Sequence, residues 1–451
     1  MLALRLTRRA HPAVQLRRLL VATASAGTGF LLLCTLGHAM THPGSPGASF
    51  LRLTWCAAPL AATVHFAVAV ARTDPGTRPR PGLAAIGLSP ARLMAVSATT
   101  TLLSTLLGSM LALLFFLHLR GDLTGMPFDG AAAEFLAASE PLPLPAALTL
   151  LSLVPTAASL AVAVTLRPRE ARPSTAEGPR RFGRFGAYGT TGERETFGAY
   201  GRFGARLRRA EPAGSRDAGA SPDPEKSGAP HARASETHPP AGAPADTPTS
   251  TPSGLPWGTA ILAGGLAVEA YASTATTNTT TMPTGLPTGP TAVLIGWALT
   301  AVGLALAGPG LTHLCGRLLQ SLRPGALRLL AGRILMEEAT RIGRPLGIVC
   351  AVASAAYAMA VLHDPTADGR TLGPLTTLGA TVVTGCAVAT LLTAAVEARQ
   401  ARADTTAALL RLGAPPTMLR SAAALRAGAL LAVFGPLTLI VAELAALPLA
   451  R

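Results

Sequence analysis

The stretch LAAIGLSPARLMAVSA, Leu83 to Ala98, is echoed by LLRLGAPPTMLRSAAA, Leu409 to Ala424. Superposing Gly87 on Gly413 aligns the two, and also the apolar segments on either side, without a gap. In each, an apolar turn runs into a glycine, then proline and arginine, and then a new apolar run. An apolar segment, a short basic loop and an apolar segment repeated near both ends predict a duplicated membrane domain. The recurring loop is the candidate working part.

Composition agrees. Hydrophobic residues make up 49% of the chain and charged ones 14%, well under the quarter or so typical of soluble domains. Apolar runs of about 20 residues suffice to cross a bilayer core as helix. The expected fold is therefore all-α and polytopic, with about nine transmembrane helices in two similar halves. The spans read at 19–40, 51–71, 93–118, 146–166, 255–272, 291–308, 345–362, 375–396 and 425–447. The net charge of +15 is almost wholly arginine, since Lys226 is the single lysine. Arginines gather before the first span (Arg5, Arg8, Arg9, Arg17, Arg18) and after the second (Arg72, Arg78, Arg80, Arg92). They recur from Arg317 to Arg344 and from Arg399 to Arg420, whereas the alternate loops are arginine-poor. The positive-inside rule then predicts a cytoplasmic N-terminus, in the cell membrane, with both repeated loops inside. The first span is too long for a simple cleaved signal peptide and is expected to be retained.

Domain bounds follow: a first half of four spans at 1–166, a basic Pro/Gly/Ala/Arg-rich linker at 167–254, a transmembrane hairpin at 255–308, and a second half of three spans at 309–451. The linker has almost no aliphatic run and is expected to be disordered and cytoplasmic. Its internal repeat, RFGRFGAYGTTG from Arg181 and TFGAYGRFG from Thr196, suits a flexible tether foremost. Contact with anionic lipid and stacking on RNA are the other uses of such residues. No nucleic-acid partner is expected.

Catalytic patterns do not appear. A P-loop needs lysine after a glycine-rich turn, and Lys226 lies in DPEKSG within the linker. No nucleophile elbow and no H-E-x-x-H pair is present. No cluster has metal-ligand spacing. The expected protein is not an enzyme and needs no cofactor or metal. The five cysteines, Cys34, Cys56, Cys315, Cys350 and Cys386, read as small packing residues. Ionisable residues within spans are His65, Glu269 and Glu443. Such groups are functional suspects, yet interfacial positions for the two glutamates and a neutral, hydrogen-bonded imidazole for His65 are the cheaper expectation.

The loops carry more information. Leu83, Ile86 and Leu88 surround Gly87, followed by Ser89, Pro90 and Arg92. Leu409, Arg411 and Leu412 precede Gly413, followed by Pro415 and Arg420. This pattern predicts a short amphipathic helix that glycine ends and after which proline starts the next helix.

The loops resemble the stretch "apolar–Leu–Gly–small–Ser/Pro" of FtsX-like permeases, the MacB-type membrane subunits of ABC transporters. The basic run LLAGRILMEEATRIGRP, Leu329 to Pro345, resembles the helix leading into the first span of such a permease half. The N-terminal RLTRRAHPAVQLRR takes the corresponding place in the first half. The similarity covers residues 1–166 and 255–451. It implies that Leu83 to Arg92 and Leu409 to Arg420 are coupling loops receiving a separate ATPase dimer, whose ATP hydrolysis would drive transport or mechanical signalling. It leaves the substrate unidentified, a lipid or a peptide being among the candidates. Family members usually have ten spans, so a second half that ends one span after Gly413 is shortened. A secondary transporter, which would show inverted repeats and midplane charges, and a non-transporting membrane scaffold are the rival readings.

Overall fold

We analysed a computed structural model of the chain. It describes residues 12–74, 90–123, 130–133, 135–167, 254–275, 288–321, 325–362, 373–413 and 415–446. The stretch 168–253, where the linker and its aromatic repeat were expected, lies outside the described residues.

The described residues form helices and no strand. In order they are α1 (Pro12–Thr41), α2 (Pro46–Trp55), α3 (Ala57–Thr73), α4 (Pro90–Arg120), α5 (Leu144–Thr165), α6 (Gly254–Ala275), α7 (Thr288–Ser321), α8 (Ala326–Leu362), α9 (Pro374–Ala401), α10 (Ala403–Arg411) and α11 (Pro416–Ala446). Eight of these segments are long and apolar enough to cross a membrane: α1, α2 with α3, α4, α5, α7, α8, α9 and α11. The protein is an all-α, multi-pass membrane protein. The ninth expected span, 255–272, is helical as α6, whose 22 residues reach about 33 Å at 1.5 Å per residue, but α6 is not among the eight segments long and apolar enough to cross a membrane.

The repeat is structural. Superposing Gly87 on Gly413 also brings Pro90, the first residue of α4, onto Pro416, the first residue of α11, and both helices have 31 residues. It matches α1 with α8, and α2–α3 with α9. Equivalent pairs pack alike: α1 lies on α4 as α8 lies on α11, and α1 touches α3 as α8 touches α9. The halves meet where α3 packs on α9, an element against its own equivalent, as a two-fold relation requires.

Large apolar side chains face outward, among them Leu107, Phe115, Leu160, Leu392, Leu431 and Ile440. Small and hydroxyl-bearing ones face inward. The Ser25 hydroxyl donates to the Thr105 carbonyl at 2.8 Å, tying α1 to α4. The Ser109 hydroxyl donates to the Leu151 carbonyl at 3.2 Å, tying α4 to α5. Thr28 and Thr63 share a hydrogen bond of 2.9 Å between α1 and α3. At the far end of α4, the buried Arg120 bonds the Glu140 carbonyl and pairs with Asp122 at 3.2 Å. The segment leading to α5 is thereby folded down, and Leu136 joins Leu33 and Phe116 in a buried cluster.

Helices α6, α7 and α8 are held by close backbone contact. Glycines recur at every second turn, Gly258 and Gly265 on α6 and Gly296, Gly303 and Gly310 on α7, so they share one face. On the other side of α7, a Cβ at Gly308 would lie 2.1 Å from the Gly343 carbonyl oxygen of α8. The hairpin is bounded at Gly308 from sequence, and helix α7 runs on past it through Pro309 to Ser321. The flanking glycines are where α8 and α6 approach, and those neighbours hold the helix across the proline. Replacing Gly343 by valine should cost about 1–3 kcal/mol of stability through overpacking. Replacing Gly435 by alanine, where a Cβ meets nothing within 4 Å, should cost nothing. Thermal unfolding midpoints of the two variants in detergent check this.

Candidate functional site at the basic end of the helices

The repeated loops follow α3 and α9, at the arginine-rich end of the bundle. Of the first loop, Leu83, Ile86, Gly87, Leu88 and Ser89 lie outside the described residues. Pro90 opens α4, and Arg92 is exposed in its first turn.

The second loop is described apart from Ala414. Its helix α10 has nine residues, with Leu409 half-buried and Leu410, Arg411 and Leu412 exposed; Leu412 is 85% exposed. The Leu412 N–H donates to Ala408 at 3.0 Å, and the Gly413 N–H to Leu410 at 3.1 Å. Gly413 has φ +87°, a conformation that strains residues with a Cβ and ends the helix. Pro415 follows, its carbonyl accepting from Met418 N–H at 3.0 Å. Pro416 then starts α11, and Arg420 is exposed one turn later. Helix, glycine stop and proline restart appear in the order that the sequence pattern sets.

What fixes α10 lies behind it. Arg402, at the joint between α9 and α10, places Nε 2.6 Å from Glu338 Oε1 and donates from it to the Ala398 carbonyl at 2.9 Å. Arg426 of α11 places Nη1 3.8 Å from Glu338 Oε2. Glu338 is only 8% exposed. One carboxylate thus ties α8, the α9–α10 joint and α11 together, and a charge so placed requires such partners.

The first half has the same device with the signs exchanged. Arg18 of α1 places Nη2 2.6 Å from Asp74 Oδ2 at the end of α3, and Arg17 donates to Thr73 Oγ1 at 3.3 Å. In both halves an ion pair fastens the first helix to the end of the second, directly ahead of the repeated loop. Between the halves, Arg72 of α3 lies in electrostatic range of Arg344 of α8 and Glu397 of α9.

None of Glu338, Arg402, Arg426, Arg18 and Asp74 was singled out as a site residue from sequence. A usable signal was there: acids are few, 23 against 38 basic residues, and an acid inside an arginine-rich helix end has partners at hand. The three span-borne ionisable residues do not come together. His65 is half-buried, in range of Arg72 and Arg344. Glu443 is exposed and accepts from the Tyr357 hydroxyl at 3.1 Å. Glu269 is buried between α6 and α7. Among the described residues no group of three metal-ligating side chains occurs, and all five cysteines are buried thiols.

Comparison of the chain with family models, curated proteins and solved structures finds no match. The geometry therefore stands by itself: an exposed amphipathic helix braced by ion pairs to three membrane helices. A double-mutant cycle with Glu338→Gln and Arg402→Gln should show a coupling of roughly 1–3 kcal/mol. Hydrogen exchange should quicken across Ala403–Arg411 in either single variant, and the exchanged pair Glu338→Arg/Arg402→Glu should slow it again.

Proposed function

We propose that this protein is the membrane-spanning subunit of an ABC transporter of the FtsX-like class. It sits in the cell membrane with its arginine-rich end and N-terminus in the cytoplasm. A separate ATPase dimer docks on the two repeated loops, and its ATP hydrolysis drives transport of a lipid or peptide, or mechanical signalling, across the membrane.

The observation that carries this reading is α10. A short helix that offers Leu410 and Leu412 to the outside, stopped at Gly413 and restarted at Pro416, is a handle rather than a plain turn. A push on α10 acts on Arg402, hence on Glu338 and Arg426, and so on α8 and α11 together. In the first half the Arg18–Asp74 pair stands at the end of α3, just ahead in sequence of the first loop. Equivalent loops in a two-fold arrangement suit a two-fold partner. Arg92, Arg411 and Arg420, all exposed, supply contacts to acidic groups of the ATPase or to lipid phosphates. The chain's one lysine, in no P-loop setting, supports a separate source of ATP hydrolysis.

The test is the double variant Leu88→Glu/Leu412→Glu in the full-length chain. It should still insert, but the ATPase that co-purifies with the wild-type protein should be lost and its stimulated hydrolysis should fall to the basal rate. An unchanged complex with unchanged hydrolysis, or no ATPase with the wild-type chain, would overturn the assignment.

A further inference from the structure

Helix α6 stands apart from the eight segments long and apolar enough to cross a membrane. Its one charged residue is Glu269, in GLPWGTAILAGGLAVEAYASTA. The carboxyl is 2% exposed, packed against α7 beside Gly296, where a Cβ would sit 2.5 Å from the Glu269 Cγ. Gly296 thus leaves the room that the carboxyl occupies. The Thr300 hydroxyl donates to Oε1 at 3.1 Å. Oε2 is buried with no hydrogen-bond partner among the described residues.

The surroundings supply no countercharge. From α7 the carboxyl meets Thr300 and Gly296. No charged side chain of α6, α7 or the neighbouring α11 acts on it among the described residues. The segment 276–287, which joins α6 to α7, contains no acidic, basic or histidine residue. Two carboxylate oxygens offer about four acceptor sites, and here one hydroxyl serves them. An ionised group in that setting is poorly stabilised; a neutral acid is not, because Oε1 takes the threonine hydrogen bond and Oε2 carries hydrogen in place of a missing donor.

We propose that Glu269 is a proton-binding site within the membrane, its carboxyl reversibly protonated on Oε2 while Thr300 holds Oε1. With the proton bound, α6 is neutral and completes a ninth crossing helix against α7. Loss of the proton places an uncompensated charge in the α6–α7 contact and loosens it. This inference is independent of the ATPase-coupled reading.

Infrared spectra of the full-length protein in lipid nanodiscs test it directly. The wild type should show a carboxylic-acid carbonyl band that disappears as pH rises. Glu269→Gln should lack the band, and Glu269→Asp should shift it. Thr300→Val, which removes the donor, should move the band to the position of a less hydrogen-bonded acid. Should the glutamine variant fail to fold, dicyclohexylcarbodiimide on the wild-type protein gives a second readout. The acid proton passes to a carbodiimide nitrogen, the carboxyl oxygen adds to the central carbon, and rearrangement leaves a stable N-acylurea that mass spectrometry maps to residue 269. Labelling should fall as pH rises, and a water-soluble carbodiimide should not label this site. An acid band unchanged between wild type and Glu269→Gln, a band that does not titrate, or carbodiimide labelling at Glu337 with none at Glu269 would overturn the proposal.

Discussion

With hydrocarbon on the outside, burying a leucine gains little, so membrane helices hold together where their backbones approach closely and their few polar groups find partners. The arrangement of this protein follows from that constraint. Many of its large aliphatic residues point outward, and serines, threonines and glycines line several of the helix contacts. Ser25 reaches the Thr105 carbonyl, Ser109 reaches the Leu151 carbonyl, and Gly308 lies against Gly343. Each contact fixes one helix pair, and the chain of pairs brings α3 against its equivalent α9. Polar groups at this depth have no water to fall back on, so each such bond fixes orientation as well as proximity.

The same constraint explains where the charges sit. A carboxylate can lie beneath the surface of the bundle only with cations around it, and the arginine-rich helix ends supply them. In the second half Glu338 gathers Arg402 and Arg426; in the first half Asp74 takes Arg18. The two halves keep the connection and exchange the signs. What the repeat retains is the mechanical link between the first helix and the end of the second, just before the loop, more than the identity of any residue. A loop braced in this way is suited to carry force, and that links the α10 geometry to the proposed coupling role.

Glu269 lies where this logic is least satisfied. Among the described residues it has a single hydroxyl donor, no cation, and an oxygen left over. It also separates α6 from the helices whose composition alone suffices to cross a membrane. A bound proton answers both features, since a neutral acid is tolerated in the α6–α7 contact and raises the apolarity of α6. The hairpin is then a part of the bundle whose fit depends on protonation, while the ion-paired basic end is fixed by charge.

The sequence by itself determined the helical membrane class, the position of eight crossing helices, the repeat, and the local form of the second loop. These depend on apolar run length and on the backbone preferences of glycine and proline, which act within a few residues. Only the tertiary structure decided that α3 meets α9, that Glu338 serves three helices, and that Glu269 is left with Thr300 alone. Those are relations between residues far apart in the chain. They are set by which helix faces can approach closely, and nothing in a local pattern encodes that distance.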